Sequence, residues 1–251
     1  MKKILSILAI LYTCLLVAGA QEKAPFTADR PGVSTGPAIV GLNVLQIEQG
    51  FGYNHTTSSS TFTFSNTLLR FGLFQNTELR IGGDGILHKD FNYGTSDIAF
   101  TGINIGTKIN CFEGRGAIPA ISVMADFSIP GTSTKEYGTQ ALAPSLYLLF
   151  ENFITEWLYI CYNIGTQWDG SNPYPSLFLA ASVGADITDK IGIFAESYNN
   201  IGPTDNNYAV DFGLYWSIAR RLQIDISADL NLKQTNQNWG LSLGLAWQFN
   251  K

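Results

Sequence analysis

Residues 222–233, LQIDISADLNLK, and residues 238–249, NWGLSLGLAWQF, alternate apolar and polar side chains without a break. Leu222, Ile224, Ile226, Ala228, Leu230 and Leu232 take one set of positions, and Gln223, Asp225, Ser227, Asp229, Asn231 and Lys233 take the other. Such a set would scatter around a helix, whereas in a strand it falls on one face. The second run repeats the rhythm, with Trp239, Leu241, Leu243, Leu245, Trp247 and Phe249 set against Asn238, Gly240, Ser242, Gly244, Ala246 and Gln248. Each run is about a dozen residues long, where a soluble strand has ~5–6 and a tilted strand crossing a bilayer ~9–11. Trp239 at one end and Trp247 and Phe249 at the other fall where membrane strands place aromatics. The two runs read as the closing hairpin of a transmembrane β-barrel.

Energetics decides which face meets lipid. Turning residues 222–233 over would drive Asp225, Asp229 and Lys233 into hydrocarbon, where a lysine at the midplane costs ~2–4 kcal/mol and an aspartate somewhat less. The Leu/Ile face therefore points outward. The same test sends Gln46, Glu48, Asn66, Arg70, Glu78, Arg80, Asp84, Asn104, Lys108, Asp126, Asn163, Gln167, Glu196 and Asp211 into the lumen.

Upstream, the alternation recurs between breaks that are short at one end of the barrel and longer at the other. A first strand spans 39–53, and a tight turn at Phe74-Gln75-Asn76-Thr77 joins strands over 67–73 and 78–84. Further strands are predicted over 97–110, 118–129, 142–150, 157–167, 177–187, 191–198 and 210–218, with a short turn beginning at Glu151-Asn152. The expected fold is all-β: a single closed antiparallel barrel of about 12 strands, with short periplasmic turns and longer outer loops. An even strand number is usual for a single-chain bacterial barrel.

The 251-residue chain opens with Lys2 and Lys3, an apolar run from Ile4 to Val17, and Ala18-Gly19-Ala20, which reads as a signal peptide at 1–20 cleaved before Gln21. Residues 21–38 are Pro- and Gly-rich and lack alternation, so they form an irregular segment and a candidate plug, and residues 39–251 form the barrel. Without the signal, 13 Lys+Arg stand against 20 Asp+Glu, a net charge of −7. No basic cluster points to nucleic acid. Cys111 and Cys161 fall on well-separated strands with no ligand spacing, and read as packing or turn residues.

Catalysis would need a nucleophile, a base and an acid at one rim. The histidines His55 and His88 fall in outer loops near Ser58–Ser60 and Asp90, a pattern that polar loop composition also explains. No metal-ligand spacing is present, and Gly82-Gly83-Asp84-Gly85 lacks the helix a phosphate loop needs. The sequence therefore predicts no catalytic residues, no metal site and no cofactor.

The informative charges face the lumen. Arg70, Glu78 and Arg80 share the inner side of one hairpin, and Glu48, Asp84, Lys108 and Asp211 face the same interior. They read either as a lattice that stiffens the wall or as a constriction that selects solutes. Asp29 and Arg30 are the plug candidates. Arg30 either folds back onto Glu48 or, preferably, Glu78, or is a solvated linker residue.

Several stretches resemble a family of Gram-negative outer-membrane barrels catalogued as transporters of the MetA pathway of phenol degradation. They are Thr27-Ala28-Asp29-Arg30-Pro31-Gly32 leading into Leu45-Gln46-Ile47-Glu48; Leu69-Arg70-Phe71-Gly72-Leu73 with Asn76 and Glu78-Leu79-Arg80; Ile118-Pro119-Ala120 through Ser128-Ile129-Pro130-Gly131; and Gln223-Ile224-Asp225-Ile226. The resemblance implies an outer-membrane channel passing small apolar or aromatic compounds. The implied partners are the outer-membrane bilayer, the assembly machinery and a small-molecule solute. Two rival readings are a structural or interaction barrel without transport and an outer-membrane hydrolase.

Overall fold

A computed structural model describes residues 26–202, 206–232 and 238–249. The signal read at 1–20, the start of the candidate plug at 21–25 and Lys233 lie outside them. Thirteen strands follow in chain order: β1 (Leu45–His55), β2 (Ser59–Phe74), β3 (Thr77–Asp90), β4 (Thr95–Phe100), β5 (Asn104–Phe112), β6 (Ala120–Ser128), β7 (Ala143–Phe153), β8 (Leu158–Gln167), β9 (Ser176–Thr188), β10 (Ile191–Ile201), β11 (Asn206–Ala219), β12 (Leu222–Asn231) and β13 (Asn238–Phe249). Neighbours pair antiparallel, β3 pairs with β5, and β1 pairs with both β2 and β13, which closes the ring. Twelve strands make the barrel, and β4 is additional.

The sequence expectation of one strand over 97–110 is corrected by this break. β4 continues the pairing of the outer half of β3, and β5 pairs with its inner half. Between them Gly102 takes φ 105°, a left-handed turn that interrupts the pleat. Loop hydroxyls replace the missing ladder there: Phe100 N donates to Thr134 Oγ1 at 2.9 Å and Ile103 N to Thr132 Oγ1 at 2.8 Å.

Other boundaries move too: β2 begins at Ser59 and β3 runs on to Asp90, beyond the expected 67–73 and 78–84. The wall begins at Leu45 rather than residue 39, because Ile39 and Val40 are buried inside the barrel at 3% and 1% exposure. β7 runs through Glu151 and Asn152 to Phe153, so the turn falls at 154–157 and Glu151 stays on the wall.

Polarity is inverted relative to a soluble protein. On β13, Leu241, Leu243 and Trp247 are 50%, 56% and 49% exposed, whereas Arg70, Glu78 and Lys108 are fully buried in the interior. An apolar surface running round a whole barrel far exceeds the patches a soluble monomer tolerates. In lipid the same surface is stable, because closure pairs each of the twelve barrel strands on both sides. Aromatic pairs mark both ends of the seam: Tyr53 and Trp239 at the outer end, 5.6 Å apart, and Trp247 and Phe249 at the inner end, 4.2 Å apart.

Candidate functional site in the barrel interior

Residues 26–44 lie within the barrel, and their backbone is hydrogen-bonded to the wall nearly all the way round. An irregular segment has backbone groups with no ladder of their own, so the lumenal side chains must supply partners. Thr27 O accepts from Gln46 Nε2 at 2.8 Å and from Arg70 Nη1 at 3.1 Å. Val33 N and Ser34 N donate to the Glu196 carboxylate at 2.5 and 2.9 Å. Thr35 exchanges two bonds with Asn163, each 2.8 Å. Pro37 O accepts from Ser122 Oγ at 2.6 Å, and Val40 N donates to Glu78 Oε2 at 2.8 Å.

The charges sort onto two walls. On β2, β3 and β5 stand Arg70, Arg80 and Lys108, and Asp29 sits among all three: Arg70 Nη1 at 3.2 Å, Arg80 Nη1 at 2.5 Å and Lys108 Nζ at 2.8 Å. The Arg70 guanidinium also grips Glu78 in a fork, with Nε at 3.0 Å and Nη2 at 2.9 Å, and reaches Glu48 at 2.9 Å. Three cations thus face Glu48, Glu78, Asp29 and, at 3.8 Å from Arg80, Asp126, and one of these carboxylates, Asp29, comes from the lumenal segment. Burial of this many charges is tolerable only because each is paired and hydrogen-bonded.

The adjoining wall, across β1, takes the next residue. Arg30 Nη2 lies 3.2 Å from Asp225 Oδ1 on β12 and 2.9 Å from Ser242 Oγ on β13, while Nη1 donates to Asn66 Oδ1 at 3.1 Å. This corrects the expected pairing of Arg30 with Glu48 or Glu78. Both acids are already engaged by Arg70. Asp29 therefore faces the basic wall of β2, β3 and β5, and Arg30 the adjoining acidic wall of β12 and β13 that carries Asp225.

Of the lumenal candidates, the structure gathers Arg70, Glu78, Arg80, Lys108 and Glu48 into one cluster. Asp84 is set apart, bonded to Asn66 Nδ2 at 2.7 Å, and Asp211 lies across the barrel opposite Glu196. Sequence reasoning placed Glu196, Asn163 and Ser122 no further than the inner face or not at all, and their role as anchors becomes visible only once the plug's path is known.

Gly72 shows how closely the plug approaches the wall. Asn43 N donates to Gly72 O at 2.9 Å, and a Cβ on Gly72 would land on the Gly41 carbonyl oxygen. Gly72→Ala is expected to force residues 41–42 inward at a cost of ~1–3 kcal/mol, the range for overpacking. The checks are a lower unfolding temperature in detergent and noisier baseline current. A variant matching the native protein in both would show that residues 41–44 can shift freely.

Below the plug, at the short-turn end, lies a cavity of about 910 Å³ lined by Asp29 and Arg30 on one side and by Glu151, Tyr159, Asp186 and Tyr215 on the other. The histidines sit on strands rather than in the expected outer loops, His55 at the end of β1 and His88 on β3, and have local partners. His55 packs against Phe91 and Trp239, His88 Nδ1 lies 2.9 Å from Thr61 Oγ1, and Asp90 Oδ1 accepts the amides of Asn92 and Tyr93. These contacts do not assemble a serine, a histidine and an acid. Cys111 and Cys161 lie on β5 and β8, and Cys161 Sγ donates to Thr35 O at 3.4 Å.

The model of the family described as "Putative MetA-pathway of phenol degradation" matches residues 28–249. No curated protein matches the chain. Among solved structures, the COG4313 outer membrane channel from Pseudomonas putida F1 aligns with TM-score 0.69 at 9% identity, covering 89% of this chain and 100% of that one. The KdgM porin aligns at 0.56 with 9% identity, over 81% and 99% of the two chains. The NanC porin aligns at 0.57 with 8% identity, over 80% and 98%. At these identities the likeness establishes the fold, which is that of an outer-membrane β-barrel.

Proposed function

The chain belongs to the "Putative MetA-pathway of phenol degradation" family, and on that premise we propose that it is an outer-membrane channel through which small solutes pass by diffusion, with residues 26–44 as a resident plug. The observation that carries this reading is the nature of the plug's attachment. It is held by ion pairs and hydrogen bonds to a polar wall, and water can replace such bonds when the segment moves. An apolar core would make the same movement far more costly.

The family description directs the choice of solute to small aromatic compounds such as phenol. The proposal includes no catalytic step, since His55 and His88 are engaged in aromatic and hydroxyl contacts. A polar lumen filled by its own segment also suits a structural barrel whose outer loops bind a partner, and one experiment separates the two. Folded protein, identified by heat-modifiable migration, is placed in planar bilayers and in liposomes. Small steady conductance and phenol uptake above protein-free controls are expected. Absence of both would overturn the channel reading and leave the structural one.

A further inference from the structure

The cavity at the short-turn end, about 910 Å³ in volume, falls within the ~300–1,000 Å³ of small-molecule sites. Its wall is aromatic by construction. A Cβ at Gly184 would land on the ring of Tyr159, and one at Gly192 on the ring of Tyr215, so the two glycines let both rings lie against the strands beside them. Phe153, which pairs with Tyr159 in register, adds a third ring at a centroid distance of 5.9 Å. All three rings line the cavity and offer apolar surface to a flat ligand.

Strands bring three carboxylates to this cavity, and two of them are served. Asp186 accepts from the Tyr215 hydroxyl, and Glu196 from the amides of Val33 and Ser34. Glu151 is half-buried and lines the same space, and among the described residues its carboxylate receives no hydrogen bond and no ion pair. It stands on the inner face of β7 two residues before Phe153, and diagonal to Tyr159 across the β7–β8 ladder, a separation of ~7–8 Å. One substituted benzene ring spans that gap. A ring laid on Phe153 and Tyr159 therefore carries its substituent to Glu151, where a carboxylate accepts a hydrogen bond and repels an anion.

We propose that the cavity binds a flat arene carrying a hydrogen-bond donor, its ring against Phe153 and Tyr159 and its donor bonded to Glu151. The site deepens the channel reading and, as a station on the solute's path, rests on it. A solute that has passed the plug meets Glu151 before it leaves the barrel, so this residue sorts donor-bearing arenes from hydrocarbons and from aromatic carboxylates.

The test is calorimetric titration of the folded, heat-modifiable protein in detergent micelles at neutral pH, with protein-free micelles as the blank and phenol, anisole and benzoate as probes. Phenol is expected to bind about tenfold tighter than anisole, which keeps the ring and the oxygen but has no donor, as a hydrogen bond to a charged acceptor allows. Benzoate should be weakest. Glu151→Leu should bring phenol down to the affinity of anisole and leave anisole unchanged. Glu151→Gln, which keeps the shape and removes the charge, serves if the leucine variant fails to fold, with a smaller loss in the same direction. Tyr159→Ala should weaken phenol and anisole alike. No saturable binding of any probe, equal affinity for phenol and anisole, or a preference that persists in the folded Glu151 variants would overturn the site. Asp189 and Lys190 of the β9–β10 turn line the cavity at the rim, so a probe in micelles enters without passing the plug. A protein that prefers phenol through Glu151 but passes no current keeps this site and loses the channel reading; one that conducts but binds phenol and anisole alike keeps the channel and loses the site.

Discussion

Deleting residues 21–36 after the signal should raise single-channel conductance several-fold while leaving a heat-modifiable barrel. The deletion removes Asp29, Arg30 and the amides of Val33, Ser34 and Thr35, which together cross the lumen from the basic to the acidic wall. What stays is the stretch from Pro37 to Val40, pinned along one side by Ser122, Lys108 and Glu78. The ladder itself is untouched, since pairing of the first strand with the last starts at Leu45. Arg70, Arg80 and Lys108 then keep Glu48, Glu78 and the more distant Asp126, and water entering the cleared lumen solvates the cation faces that Asp29 had covered. If the deletion variant folds and conducts like the native protein, the segment is not the constriction.

Asp29→Ala should come close to the deletion in effect. Its carboxylate is 9% exposed and serves three cations at once. Removing one partner from a buried charge cluster costs ~3–5 kcal/mol. Much of that cost can be avoided if the plug leaves its seat and the cations are hydrated, so the substitution favours the open lumen. Arg30→Ala should give a smaller gain, because its side chain is 15% exposed and makes one ion pair, to Asp225, where Asp29 makes three. Single-channel recordings of both variants decide the order. A quiet Asp29→Ala beside an open Arg30→Ala would mean that the acidic wall, not the basic one, retains the plug.

The barrel was legible in the sequence because lipid imposes a two-residue period that few other folds sustain. Leu241 and Leu243 outward and Asp225 and Asp229 inward follow from that period alone. So does the meeting of Arg70, Glu78 and Arg80, which requires only a tight turn between two alternating strands. The plug follows no period. Its path depends on single long-range contacts, Thr35 to Asn163 or Val33 to Glu196, and nothing local specifies them. Arg30 drew attention as the conspicuous charge, yet Asp29 is the residue at the centre of the ion pairs. The split between β4 and β5 was hidden for a related reason: Ile98, Phe100, Ile103 and Ile105 are apolar on both sides of Gly102, so composition gives no hint that the backbone turns there.

Arg30 also has a place in the order of assembly. Its guanidinium meets Asn66 of β2, Asp225 of β12 and Ser242 of β13, and it lies over Gly50 of β1. These strands flank the junction between the beginning and the end of the chain, the most distant pairing in sequence and the last that loop closure permits. Arg30 is synthesised before any strand, but its seat is complete only when the final hairpin has docked. The residue that holds the plug against β12 and β13 thereby fastens the seam from within, and a plug in place signifies a barrel already closed.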